Sequence, residues 1–482
     1  MNDDSKSTGI GRLILSIGPA LITASVVLGP GSILAASKVG QKDGYTMTWV
    51  LLLAVLLMIG LTALSSRLGV VLEKTPCEEI ALRVGRPAAI VTGGALFLIA
   101  ACFQFGNNLG VVAAIEPFLT VVELPDDFKL SEDKIKSYTE DQLKVVSDAD
   151  LKAGMGVAKL PKEVKDLLDP KLVEQAEAAA TTAVRIKAGV IVLINVIVIV
   201  ALFGFRNLYK PVETMMKVMV GLMVLGFAVN LIFAQPDLGK AAAGLIPSTK
   251  LDGSSLIAVI GLFATTFSVG GAFYQAYLVR EKGWTIKHAK QGIVDSTIGI
   301  SALGALTMMI MLTAAAVLHG QEGVKLGSAA DVARQLEPVF GVASRNLFCM
   351  GIFAGAFSSF LVNAMIGGTV LSDGIGHGGN MDRATPKICT VVALGMGMVV
   401  ALSVLMVGLN PLNLIIFAQA VTTLGLPALA IALLYLATRP DLQGEKAIPG
   451  WMKIVAVAAT LATLVVAYRV LTGFLANLAK VM

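Results

Sequence analysis

Apolar residues run through this chain in long blocks, separated by short polar stretches rather than confined to one face of each helix. A helix needs about 20 apolar residues to cross the hydrocarbon core of a bilayer. Eleven blocks are therefore predicted as transmembrane helices: 12–38, 46–67, 88–122, 186–205, 212–234, 255–280, 290–318, 343–372, 386–408, 411–437 and 452–478. Two of them carry glycine at mid-membrane depth. The first reads SVVLGPGSILAAS around Gly29-Pro30-Gly31-Ser32, and the sixth reads ATTFSVGGAFYQAYLV around Gly270-Gly271. Proline removes a backbone donor and blocks the preceding turn, and glycine weakens a helix, so both are expected unwinding points. Irregular backbone at that depth is tolerated only where it is buried in protein or lines a cavity. The breaks fall in the first helix of each of two five-helix blocks. Five is odd, so the second block must insert upside down relative to the first. Interrupted segments at matching places of two inverted halves point to the central site of a secondary transporter.

Composition narrows the class. Of 482 residues, 56% are hydrophobic and 15% charged, against about 25% charged in a soluble domain. This excludes a soluble enzyme and a disordered chain, and an all-α polytopic membrane protein is expected. The charges are uneven: Glu123–Lys187 holds 14 Asp/Glu and 11 Lys/Arg. The chain is accordingly divided into transmembrane helices 1–3 (1–122), a charged helical insert (123–185) and helices 4–11 (186–482). Helical patterns over 130–138 and 161–168, punctuated by Pro125, Pro161 and Pro170, make the insert a solvated cap or a partner-binding module. With the N-terminus inside, the short inner segments hold 17 Lys/Arg and the outer ones seven. The positive-inside rule then predicts a plasma (inner) membrane protein with a cytoplasmic N-terminus and an extracellular or periplasmic insert. The first apolar run has no A-x-A cleavage pattern and reads as a retained helix. Cys77, Cys102, Cys349 and Cys389 are scattered singly, and the three histidines share no chelating spacing. The basic residues sit in short loops beside apolar spans, so no nucleic-acid partner is expected. No catalytic constellation and no cofactor is expected either.

The segment GPALITASVVLGPGSILAASKVGQKDGYTMTWVLLLA resembles the first two helices of the Nramp family of divalent-metal transporters. The likeness continues at RNLYKPVETMM, AYLVRE, AGAFSSF and FAQAVTTLGLPAL, covering the chain apart from the insert. It implies eleven transmembrane helices in a LeuT-like 5+5 inverted repeat, with a midplane site between broken helices 1 and 6.

The departures from the family pattern shape the functional expectation. The family's D-P-G-N is Gly29-Pro30-Gly31-Ser32, and its M-P-H-N falls on Ser268-Val269-Gly270-Gly271. An acidic D-x-x-E pair falls on Gln104 and Asn107, and further acidic positions on Leu34 and Ala36, while Lys38 adds a positive charge. None of the family's divalent-metal ligands is kept. Hard cations seek several oxygens including carboxylate, and transition metals favour imidazole or sulfur. The substrate expected from this loss is a small anion. Bicarbonate fits best, in line with a resemblance to Nramp-like bicarbonate transporters. The predicted binding residues are Gly29, Gly31, Ser32, Thr265, Ser268, Gly270, Gly271 and Gln419, with N–H groups of the second half-helices pointing inward. Close helix packing is the alternative role for these small residues.

Coupling to Na⁺ is expected at Ser358 and Ser359 with backbone oxygens near Thr23 and Val26, a placement the fold implies; packing is again the alternative. Asp295 and Glu116 are the remaining candidates for proton coupling, because an intramembrane carboxylate is functional by default. Phe273, Tyr274 and Gln275 are candidates for an inner gate, and Arg469 is expected to snorkel. Three other readings stand beside the anion transporter: a divalent metal ion (Mn²⁺/Mg²⁺) transporter with relocated ligands, a neutral amino-acid carrier, and a non-transporting receptor or scaffold displaying the insert.

Overall fold

The computed structural model describes residues 18–122, 156–166, 168–247, 253–321, 326–407 and 411–481. The first apolar block folds as two helices, α1 (Pro19–Val27) and α2 (Pro30–Asp43), bent by 61°. Pro30 offers no N–H to the preceding turn, which ends α1, and its fixed φ suits the first position of α2. Continuous helices follow: α3 (Thr48–Val71), the short α4 (Pro76–Arg83), α5 (Arg86–Ile115), α6 (Pro170–Gly204) and α7 (Tyr209–Ala234). The sixth block is again divided, into α8 (Gly253–Thr266) and α9 (Val269–Glu281). The remainder comprises α10 (Ala289–Val317), the amphipathic α11 (Ala329–Phe340), α12 (Val342–Gly374), α13 (Ala384–Val407), α14 (Pro411–Ala437) and α15 (Gly450–Val481).

These helices pack as two groups. The broken helices α1–α2 and α8–α9 associate with α3 and α10, while α5, α12, α13 and α6 form the second group. α7 bridges them, touching α12 on one side and α1 and α10 on the other. The break is pressed against α5, where Gly110 makes room: a Cβ there would stand 1.7 Å from Pro30 Cγ.

By length and composition, eight of the described helices can cross a membrane, and the bent pair α1–α2 makes nine. The expected count of eleven is not reached on this criterion. α8 and α9 have 14 and 13 residues, each too short alone, and α14 offers an apolar stretch of 422–437 among the described side chains. The fourth span also starts earlier than its apolar block. Asp169 accepts a hydrogen bond from Lys171 N at 2.9 Å, Pro170 takes the first turn, and α6 runs unbroken from the charged stretch into the span. Beside its start, Val157, Leu160, Val164, Leu168 and Ala176 form a small separate core, tied to the segment that follows α5 by Val157 N donating to Val122 O at 2.8 Å. The helix expected over 130–138 lies outside the described residues.

The two halves of the broken helices are unequally covered. Every residue of α1 is buried, as is α9 from Val269 to Val279, whereas Pro30, Gly31, Ala35 and Lys38 of α2 are partly exposed. One face of the molecule, at Gly18, is therefore sealed more tightly than the opposite face at Asp43.

Candidate functional site

The break between α1 and α2 exposes the carbonyl end of one helix to the start of another. Ser32 Oγ donates to Val27 O, while Ser32 N and Ile33 N donate to Gly29 O at 3.1 and 3.2 Å. From α12, Ser359 Oγ donates to Val26 O at 2.7 Å, and Ser358 Oγ reaches Gly355 O at 3.1 Å and Ser25 O at 3.4 Å. Asn363 Nδ2 donates to Ser359 Oγ at 2.9 Å. Gly29 itself has no side chain, and a Cβ placed there would lie 3.0 Å from Ser359 Oγ and 3.2 Å from Asn107 Oδ1. At the second break, Ser268 takes extended backbone, accepts from Gly271 N through Oγ at 3.2 Å and from Ala272 N through its carbonyl at 3.0 Å.

The predicted residues thus have different fates. Gly29, Ser32, Val26 and Ser359 meet at the first break, with Gly31 opening the next turn. Thr265 turns its hydroxyl back to its own helix, donating to Gly261 O at 2.9 Å. Gly270 packs on Leu96, and Gly271 lies beside Ser268 and Thr23. The Thr23 hydroxyl bonds the Gln275 carboxamide at 2.7 Å and does not join Ser358 and Ser359. The Gln419 side chain lies outside the described residues.

The Gly18 face is held by buried polar contacts. Asp295 on α10 accepts from Gly18 N at 2.8 Å and Ala20 N at 2.9 Å, capping the first turn of α1. Phe273, Tyr274 and Gln275 are fully buried above it. Sequence reasoning missed the next cluster. Tyr277 donates to Asp373 Oδ2 at 2.7 Å, and the same carboxylate accepts from Thr75 Oγ1 at 2.7 Å and Cys77 N at 3.2 Å. Its signal was a lone Asp closing the apolar helix α12. Arg439 bonds Glu79 at 2.7 Å and also Asp441, drawing the end of α14 onto α4. A cleft of about 510 Å³ opens beside Tyr277 and Arg280, but no residue of either break lines it. On the opposite face, Glu116 pairs with Lys187 and Arg334, both at 3.4 Å, and Arg469 is exposed on α15. Among the described residues no group of three or more His, Cys, Asp or Glu is placed to hold a metal ion.

Two discontinuous helices, backed by a group of continuous ones, define the class: an all-helical integral membrane protein of the LeuT-like inverted-repeat fold. The chain belongs to the Nramp family, whose profile, "Nramp: Natural resistance-associated macrophage protein-like", matches residues 20–124 and 175–473. Relatives named divalent metal cation transporter MntH include one from Deinococcus radiodurans, 22% identical over 90% of this chain and 84% of that protein. Another, from Klebsiella pneumoniae (strain 342), is 22% identical over 94% of this chain and 92% of that protein. Among solved structures, a manganese transporter from Eremococcus coleocola is similar with a TM-score of 0.68 and 16% identity, covering 98% of this chain and 90% of that one. MhsT in complex with L-phenylalanine is similar with a TM-score of 0.50 and 13% identity, covering 98% and 99%.

These relatives overturn the expectation of a small anion, and bicarbonate with it: they are named divalent metal cation transporters, and the similar solved structure is a manganese transporter. The geometry is consistent with this: the first break gathers oxygens, with Ser359 Oγ and Asn107 Oδ1 converging beside Gly29 and Ser359 Oγ on Val26 O, and Ser32 N, Ile33 N, Gly271 N and Ala272 N are bonded within their own turns.

Proposed function

We propose that the protein is a secondary transporter of a divalent metal cation, working by alternating access around the α1–α2 break. The observation that carries this is the convergence of oxygens there. Ser359 Oγ and Asn107 Oδ1 border the vacant Cβ position of Gly29, Val26 O lies against Ser359 Oγ, and α1 ends with the negative pole of its dipole at the same place. Oxygen donors suit hard divalent ions, and Mg²⁺-like ions keep several waters when a site supplies few charged ligands. The absence of carboxylate among these donors favours a partly hydrated ion over a stripped one, because full dehydration of a divalent ion in a neutral site is prohibitively unfavourable. The family relationship supports the same substrate class.

The Lys/Arg excess of the inner segments supports a cytoplasmic Gly18 face, with the tightly closed side as the inner one. A coupling Na⁺ is proposed beside Ser358 and Ser359, supported by the approach of these hydroxyls to Ser25 O and Val26 O. Calorimetric titration of the detergent-purified protein with Mn²⁺ and Mg²⁺ tests the substrate class. Saturable binding of either ion is expected, and no heat from either, in protein of monodisperse elution, would refute it.

A further inference from the structure

The buried amides of α5 assign an ion-binding role that rests on the divalent-cation reading above. We propose that the carboxamide oxygen of Asn107 is a ligand of the transported cation, held toward the break by Gln104. The orientation follows from a chain of hydrogen bonds. Gln104 is fully buried and donates its Nε2–H to Phe360 O of α12 at 2.8 Å. Its Oε1 is thereby turned to accept, which it does from Asn107 Nδ2 at 3.1 Å. An amide has its oxygen opposite its nitrogen, so Asn107 presents Oδ1 to the break, 3.2 Å from the Cβ position of residue 29. Ser359 Oγ, held by Asn363, stands 3.0 Å from the same point. Side-chain oxygens from α5 and α12 thus face one spot, and glycine at 29 leaves that spot unfilled.

The neighbouring amide shows that burial alone does not produce this arrangement. Asn108 donates through Nδ2 to Gln104 O at 2.8 Å and accepts through Oδ1 from Asn195 Nδ2 at 2.7 Å, so both its ends are engaged within the helix group. It ties α5 to α6 and faces no break. Gln104 is a positioning residue: it touches the Asn107 nitrogen and sets the direction of the oxygen.

The test is Mn²⁺ uptake into proteoliposomes, read as the concentration giving half-maximal rate. Asn107→Leu should raise that concentration at least tenfold, and Asn107→Asp, which keeps the shape and adds charge, should lower it. Gln104→Leu should raise it severalfold, while Gln104→Glu, which accepts from Asn107 Nδ2 and in its buried, protonated form donates to Phe360 O, should restore it. Asn108→Ala should stay within about twofold of wild type. A half-maximal concentration within twofold of wild type for Asn107→Leu, or for Asn107→Asp should the leucine variant not fold, overturns the assignment. Wild-type protein without Mn²⁺ uptake refutes instead the transport reading on which the assignment rests.

Discussion

At residue 29 a hydrogen atom stands where two oxygens converge, and restoring a carboxylate there is the sharpest change available at this scale. Gly29→Asp with Ser32→Asn rebuilds the family's D-P-G-N turn. The new Cβ needs its neighbours to yield by only a few tenths of an ångström, since Ser359 Oγ and Asn107 Oδ1 lie at 3.0 and 3.2 Å. A unit charge pair about 4 Å apart at an effective dielectric near 20 attracts by about 4 kcal/mol, and a divalent ion doubles this before desolvation is subtracted. One fifth of the doubled value is worth about tenfold in affinity. Half-maximal Mn²⁺ uptake is therefore expected at a concentration at least tenfold lower in the double variant. An unchanged or higher concentration would place the ion elsewhere. Where α12 meets α1, Ser358→Ala with Ser359→Ala removes the two hydroxyls that approach Ser25 O and Val26 O. Uptake measured against Na⁺ should then lose its stimulation at low Na⁺, and an unaltered Na⁺ dependence would show that these serines do not hold Na⁺.

Between elements, the closed face depends on a few contacts that join helices distant in sequence. Asp373 at the end of α12 holds Tyr277 of α9 and the start of α4 together, with Cys77 fully buried beneath. Asp373→Ala removes the shared acceptor, so the Cys77 thiol should become alkylated by a membrane-permeant maleimide far faster than in wild type, as followed by peptide mass. Equal labelling would show that the contact does not keep this face shut. The clasp at the end of α14 is sturdier toward acid. A hydrogen bond from Arg439 holds the Asp441 carboxyl down, to about 2. A depressed carboxylate contributes stability above its ordinary pKa of about 3.9 and loses it as pH falls toward the folded value. This contribution should thus persist unchanged from pH 5 to 8 and fade below about pH 4, which thermal unfolding across that range would reveal. A loss of stability already near pH 6 would require a different titrating group.

For the whole molecule, the architecture was legible because its signals are local. Pro30 and the adjacent Gly270-Gly271 mark the breaks within a few residues, and the block predicted at 290–318 is α10, Ala289–Val317. The start of α6 was hidden because helix formation from Pro170 depends on a cap at Asp169, while the apolar run begins later. The site was harder. Loss of the acidic and sulfur ligands is plain in the sequence, but the oxygens that take their place come from Asn107 and Ser359, far along the chain and brought to Gly29 only by the packing of α5 and α12 around the α1–α2 break. The bonding of Ser32 N and Ile33 N to Gly29 O, and of Gly271 N and Ala272 N to Ser268, is likewise a matter of backbone geometry, which residue types alone do not specify. On the function proposed, this neutral oxygen site passes a divalent cation across a membrane. Its direct measurement is the initial rate of radiolabelled Mn²⁺ entry into sealed proteoliposomes at a fixed inside-negative potential, beside protein-free vesicles. The account predicts saturable entry above the protein-free rate, diminished by unlabelled Mg²⁺; entry equal to that of protein-free vesicles at every Mn²⁺ concentration would contradict it.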